Sequence, residues 1–137
     1  MTYPTIFPTL RYDDPQAAIE FLVSAFGSDR HAVYADEDGA IRHAEVRLGN
    51  GVVMLGPSST DVPATRGKGG AIYVVVEDAD AHCTRARDAG AEIVRDVRDT
   101  DYGSREYGAL DPEGNEWSFG TYQPFACEHE AETAIAR

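Results

Sequence analysis

His43, Glu45 and Arg47 alternate in the run IRHAEVRL. Side chains two apart on a strand share a face, so an imidazole, a carboxylate and a guanidinium would project together. An imidazole beside a carboxylate can transfer protons near neutral pH. The same groups can equally form a cross-strand ion-pair network, with Glu45 held by Arg47, Arg11 or Arg42. A second stretch, DPEGNEWSFGTY, reads as a tight turn followed by a strand. Pro112 and Gly114 supply the turn chemistry. Along the strand, Glu116, Ser118 and Gly120 share one side and Trp117, Phe119 and Thr121 the other. Large aromatics belong in a core, which leaves Glu116 and Ser118 on the open side.

The elements that must carry these groups follow from patterning. Ile6–Tyr12 reads as a strand. Asp14 is the expected N-cap of a helix with Pro15 at its first position. Ala18, Ile19, Leu22, Val23 and Phe26 recur at helical spacing, and Gly27 is the expected C-cap. Strands follow at His31–Ala35, Ile41–Leu48 and Val52–Leu55, the last two joined across Gly49-Asn50-Gly51, where Asn-Gly signals a hairpin. The stretch GPSSTDVPATRGKGG, Gly56 to Gly70, has no apolar period and reads as a connecting loop. Beyond it the pattern predicts a strand at Ala71–Val76 and a helix capped by Asp78, with Ala79, Cys83, Ala86 and Ala89 on one face. Three further strands are expected, at Ile93–Val97, Arg105–Leu110 and Glu116–Tyr122. Strand, helix and three strands thus occur twice. YDDPQAAIEFLVSAFG answers VEDADAHCTRARDAGA, and NGVVMLG answers NEWSFG. Such a repeat points to two βαβββ modules, at 5–56 and 71–122, joined by 57–70 and followed by an acidic tail, 123–137. The fold class is α+β: two paired modules forming a concave mixed sheet within a single domain, 1–137.

Composition narrows the partners. A chain of 137 residues suits one domain. Twenty-four acidic against twelve basic residues give a net charge of -12, which repels nucleic acid and anionic membranes and favours a cationic ligand. No window approaches the roughly 18 apolar residues of a membrane span, and the N-terminal residues lack a signal-peptide pattern, so a cytoplasmic location is expected. Cys83 and Cys127 have neither CxxC spacing nor a disulfide framework.

TLRYDDPQAAIEFL, HAEVRLGNGVVML, VVVEDADAHCTRARDAGAEIV and DYGSREYGALDPEGNEWSFGTY, in this order, resemble the vicinal oxygen chelate superfamily. That group includes glyoxalase I, extradiol dioxygenases, fosfomycin-resistance enzymes and bleomycin-resistance proteins. The resemblance covers Thr5 to Tyr122, and its last segment is most similar to the glyoxalase/bleomycin-resistance group, with its DPxGxxW ending. It implies a homodimer, with pockets completed across a subunit interface.

Family metalloenzymes hold their ion with four strand residues, typically His, Glu or Gln. Laid over this chain, those positions fall near Phe7, Glu45, Ala71 and Ser118. Phe7 and Ala71 offer no donor, and an open catalytic site needs about three protein ligands. A one-residue slip in register would turn the side chains to the wrong face, and His31, His82 and His129 sit elsewhere in the pattern. The expectation is therefore no metal and no other cofactor, with a divalent ion as the disfavoured alternative. Family geometry implies that Phe7, Thr9, Arg11, His43, Glu45, Arg47, Ala71, Tyr73, Glu116 and Ser118 face the concavity. It further implies that Tyr102 and Arg105 border its entrance, with Tyr73 and Tyr102 as stacking walls and Arg105 as an anion or amide contact. Two functions follow. One is a metal-independent small-molecule binding protein of the bleomycin-resistance type, sequestering an aromatic or cationic compound. The other is an enzyme of the superfamily, metal-free and using Glu45 and His43, or a lyase or dioxygenase with atypical ligands.

Overall fold

The computed structural model describes residues 3–125. Its first half runs β1 (Thr9–Tyr12), α1 (Pro15–Phe26), β2 (Asp29–Ala35), β3 (Ile41–Leu48) and β4 (Gly51–Pro57). The second half runs β5 (Ala71–Val75), α2 (Ala79–Asp88), β6 (Glu92–Asp99), β7 (Arg105–Leu110) and β8 (Glu116–Gly120). The paired modules are as expected, and the sheet is divided in two. One four-stranded sheet has the order β1-β4-β3-β2 and the other β5-β8-β7-β6. In each, the first strand lies parallel to the last and the remaining pairs are antiparallel.

Local chemistry accounts for the boundaries. Asp14 caps α1 by accepting from the Ala17 N–H at 3.0 Å, and Asp78 caps α2 by accepting from Ala81 at 3.0 Å. Gly27, at φ 77°, ends α1 in the left-handed conformation. α2 stops one residue earlier than its apolar pattern suggests, with Ala89 as the C-cap. β1 begins after Pro8, which has no N–H to give a neighbouring strand but whose carbonyl accepts from Met54 N–H at 2.9 Å. In the β3–β4 hairpin Leu48 pairs with Gly51, so the turn residues are Gly49 and Asn50. Positive φ falls on Gly49 alone of these two, the requirement of a type II′ turn.

Burial follows the alternation. Ala44 and Val46 of β3, Tyr107 and Ala109 of β7, and Trp117 and Phe119 of β8 join the apolar sides of both helices in one core shared by the two modules. Phe26 of α1 lies 5.4 Å from the Trp117 ring and 4.8 Å from that of Phe119. Asp111, 4% exposed, is the polar hub of this junction. Its carboxylate accepts from the Tyr12 hydroxyl at 2.6 Å, Trp117 Nε1 at 3.2 Å, Asn115 N at 3.0 Å and Glu113 N at 3.0 Å. The DPEGN turn therefore ties the modules together as well as reversing the chain. His82 of α2 makes a second tie: Nε2–H donates to the Phe26 carbonyl at 2.9 Å, so Nδ1 accepts from the Tyr107 hydroxyl at 2.5 Å.

The 57–70 loop is stitched down. Thr65 N–H donates to Arg11 O at 2.8 Å, Arg11 N–H to Thr65 Oγ1 at 2.7 Å and Gly67 N–H to Asn115 Oδ1 at 2.7 Å, while Arg66 pairs with Asp13. Neither described helix is long and apolar enough to cross a membrane. Cys83 is buried, and burial pushes its thiol pKa up, as befits an inert packing residue. Cys127, His129 and most of the acidic tail lie outside the described residues.

Candidate functional site

Because both sheets turn one face to the shared core, the opposite faces carry the candidate residues. They divide between separate recesses. On the first sheet, Glu45, His31, Arg47, Phe7, Val52 and Met54 line a cavity of about 600 Å³. His43 Nε2–H donates to Glu45 Oε2 at 2.8 Å. Arg47 Nη2–H donates to Nδ1 of His31 at 3.0 Å, which turns the Nε2–H of His31 toward Glu45 Oε1, 3.8 Å away. Glu45 is thus flanked by two imidazoles, one of them oriented by a guanidinium. The trio forms a polar network on one strand face. Arg47 joins through His31 rather than touching Glu45 directly. Arg11 crosses over Gly56, where a Cβ would meet its guanidinium at 2.7 Å.

On the second sheet the small residues of β7 and β8 form a floor. Gly108 pairs with Ser118 and Glu106 with Gly120. Arg95 of β6 lies across Gly108, a position that any Cβ there would block. Its Nη2 donates to Ser118 Oγ at 2.6 Å and its Nη1 to Glu116 Oε2 at 2.5 Å. Ser118 is therefore the acceptor that seats an arginine, and Glu116 is that arginine's counter-ion. Tyr73, Tyr102 and Ser118 line a recess of about 540 Å³ with Glu106 and Tyr122. Thr9 and Ala71 meet Tyr73 and Glu116 in a third recess, of about 450 Å³, beneath the Thr65–Gly70 part of the loop.

Arg105 stands apart. Its parity matches Tyr107, so it points to the helix side. There Nε donates to Asp80 Oδ2 at 2.7 Å, Nη2 to Asp80 Oδ1 at 3.0 Å and Nη1 to Asp99 Oδ1 at 3.1 Å. These carboxylates raise its pKa, and Arg105 in turn lowers that of Asp80. The expected anion contact beside Tyr102 is thus engaged elsewhere, and Glu106, one residue on, faces the recess instead.

Sequence reasoning passed over Arg95, Glu106, His31 and Tyr122. Parity on β7 would have placed Glu106, and the pairing of Gly108 with Ser118 marks the gap that Arg95 fills. The family's metal ligands do not fit this geometry. Phe7 and Ala71 have no donor atoms, and the Ser118 hydroxyl accepts from Arg95. His31 and His43 both approach Glu45, but among the described residues no group of three His, Cys, Asp or Glu has the arrangement of a metal site.

The sequence of residues 6–119 matches the family model for the Glyoxalase/Bleomycin resistance protein/Dioxygenase superfamily. The chain is similar to the protein Mb0911c of Mycobacterium bovis, at 35% identity over 128 residues, covering 85% of this chain and 82% of that one. Its fold is similar to that of TioX from Micromonospora sp. ML1, with a TM-score of 0.72, 32% identity, and coverage of 85% of this chain and 94% of TioX. TnmS3, an antibiotic binding protein from Streptomyces sp. CB03234, shares the fold at a TM-score of 0.69 and 21% identity, with 87% and 96% covered. The repeat, the two mixed sheets and these matches together establish that the chain belongs to the glyoxalase/bleomycin resistance protein/dioxygenase superfamily.

Proposed function

We propose that this protein is a metal-independent small-molecule binding protein of the glyoxalase/bleomycin resistance type, which sequesters an aromatic or cationic compound in the cytoplasm. The observation that carries this reading is the cavity of about 600 Å³ on the first sheet. Its size lies in the range of about 300–1,000 Å³ typical of ligand pockets, and it combines apolar walls with a few placed polar groups. Phe7, Val52 and Met54 offer apolar contact, while Glu45 with its two histidines offers oriented hydrogen bonds. TnmS3 is an instance of the same fold in an antibiotic binding protein, and a role in antibiotic resistance is the biological form the proposal takes. Its ligand is a small molecule, not nucleic acid or membrane.

The active form in this proposal is a homodimer. Both candidate faces are open in the single chain, with Tyr34 60% and Tyr73 38% exposed. A second copy that set the first-sheet face of one chain against the second-sheet face of the other would join Glu45 and Ser118 in one enclosed site. Light scattering should give twice the mass of 14.9 kDa.

The functional test is a thermal-stability screen of uncharged aromatic compounds such as 2-naphthol, beside calorimetric titration with Zn, Ni, Mn and Fe(II). Saturable stabilisation that is weakened by Phe7→Ala, with no stoichiometric metal uptake, is the expected result. Tight uptake of one metal per chain would overturn the metal-independent reading.

The bond from His43 to Glu45 at 2.8 Å favours one second reading, a metal-free isomerase in which this pair moves a proton. Glu45→Gln should then abolish turnover and leave ligand affinity nearly unchanged. Equal loss of both would assign Glu45 to binding alone.

A further inference from the structure

The recess on the second sheet is built differently from the first-sheet cavity. Gly120 forms its base: a Cβ there would lie 2.6 Å from Glu106 Cγ and 2.7 Å from the Tyr73 hydroxyl, so the missing side chain lets both residues lie across the sheet. Tyr102 and Tyr122 meet edge to face, with ring centroids 5.7 Å apart at 83°, and form a corner above that base. The Tyr102 hydroxyl donates to both Glu106 oxygens at 3.0 Å, and the Tyr73 hydroxyl donates to the Tyr122 carbonyl at 2.8 Å.

With the hydroxyls of Tyr73 and Tyr102 engaged in this way, ring faces are the surface left to a ligand, and Tyr102 is 62% exposed. Glu106 has no Lys or Arg partner within ion-pair distance among the described residues. Arg95 is committed to Glu116 and Arg105 to Asp80 and Asp99, while Arg98 stands opposite Glu106 in the β6–β7 register without an ion-pair contact to it. Electron-rich faces around a carboxylate without an ion-pair partner are the elements of ammonium recognition. The chain's net charge of -12 adds long-range attraction of the same sign.

We propose that Tyr73, Tyr102, Tyr122 and Glu106 form a cation seat, which takes the quaternary or protonated ammonium group of an organic ligand. The seat rests on the small-molecule reading above and assigns the charged part of the ligand to the second sheet. The aromatic body belongs to the Phe7 side.

The test compares choline with 3,3-dimethyl-1-butanol, its uncharged counterpart of the same shape, by calorimetry or NMR titration of the full chain. Choline should bind about tenfold tighter, the ratio expected of a carboxylate-backed aromatic site. Glu106→Gln and, separately, Tyr102→Leu should each weaken choline several-fold, while Phe7→Ala should not. Raising the salt concentration should weaken choline and leave the alcohol unchanged. Tyr102 is exposed and Glu106 half-buried, and circular dichroism melts check that each variant folds. Equal affinity for the two probes, no choline binding, or choline binding indifferent to Glu106→Gln would each overturn the seat. Binding of 2-naphthol that is lost in Phe7→Ala but kept in Glu106→Gln would retain the sequestration reading and retire the seat if choline failed. Choline binding without any aromatic ligand would do the reverse.

Discussion

Replacing Tyr12 by Phe removes one hydroxyl and leaves the ring packing in place. Tyr12 is fully buried, and its hydroxyl gives the 2.6 Å bond to Asp111, a carboxylate that is itself 4% exposed. Burial and the adjacent carboxylate raise the pKa of this phenol well above its ordinary value, so it remains a donor across the whole working pH range. A hydrogen bond to a charged group contributes about 1.5–3 kcal/mol. In the variant, Asp111 Oδ2 still accepts from Trp117 Nε1 at 3.2 Å and Asn115 Nδ2 at 3.1 Å, so the loss belongs near the lower end, about 1.5 kcal/mol. For a domain of this size that lowers Tm by roughly 5 °C. The assay is a calorimetric melt paired with urea unfolding, in which the midpoint should fall at unchanged m-value. Because Tyr12 is in the first module and Asp111 in the second, the bond also links their unfolding. Two resolved transitions in the variant, where the parent has one, would show that link at its strongest. A stability within about 0.3 kcal/mol of the parent would refute the reasoning, since it would mean that the hub compensates fully for a lost donor.

Other consequences can be measured on the same material. Burial lowers the pKa of His82 below 6.5, so the fold favours its neutral form; the stabilisation is present above pH 6.5 and is lost as pH falls through the folded value. A stability profile from pH 7.5 downward should therefore slope in the parent and flatten in His82→Gln. Gly67 sits at φ +78° with a Cβ position 2.7 Å from the Gly114 carbonyl oxygen, so Gly67→Ala should cost about 2 kcal/mol or more in chemical unfolding. Arg95→Leu should cost under about 1 kcal/mol despite its two short bonds, because the Arg95–Glu116 pair is more than a third exposed.

The course of the chain was legible in the sequence because it rests on local chemistry. Asp14-Pro15 and Asp78 start the helices, Gly27 ends the first, and the alternation in IRHAEVRL and NEWSFG sorts core from open face without reference to anything distant. The repeat in YDDPQAAIEFLVSAFG and VEDADAHCTRARDAGA set the modular order for the same reason. The open face of β3 was legible too, down to the contact of His43 with Glu45, since residues two apart on a strand must share a side.

What pairs across strands and between modules was decided only in three dimensions. His31 comes to Glu45 from the register shift between Arg30 and Ala32 in the β2–β3 pairing, Arg95 reaches Ser118 across Gly108, and Tyr12 finds Asp111 99 positions along. None of these contacts has a periodic signature, because each depends on the register of one strand against another. Arg105 shows the same limit. Its type suggested an anion contact, but strand parity turned it toward α2, where Asp80 and Asp99 already held the matching charge. The division of the candidate residues between two faces was likewise beyond the sequence, because it follows from the apolar faces of both modules meeting in one core.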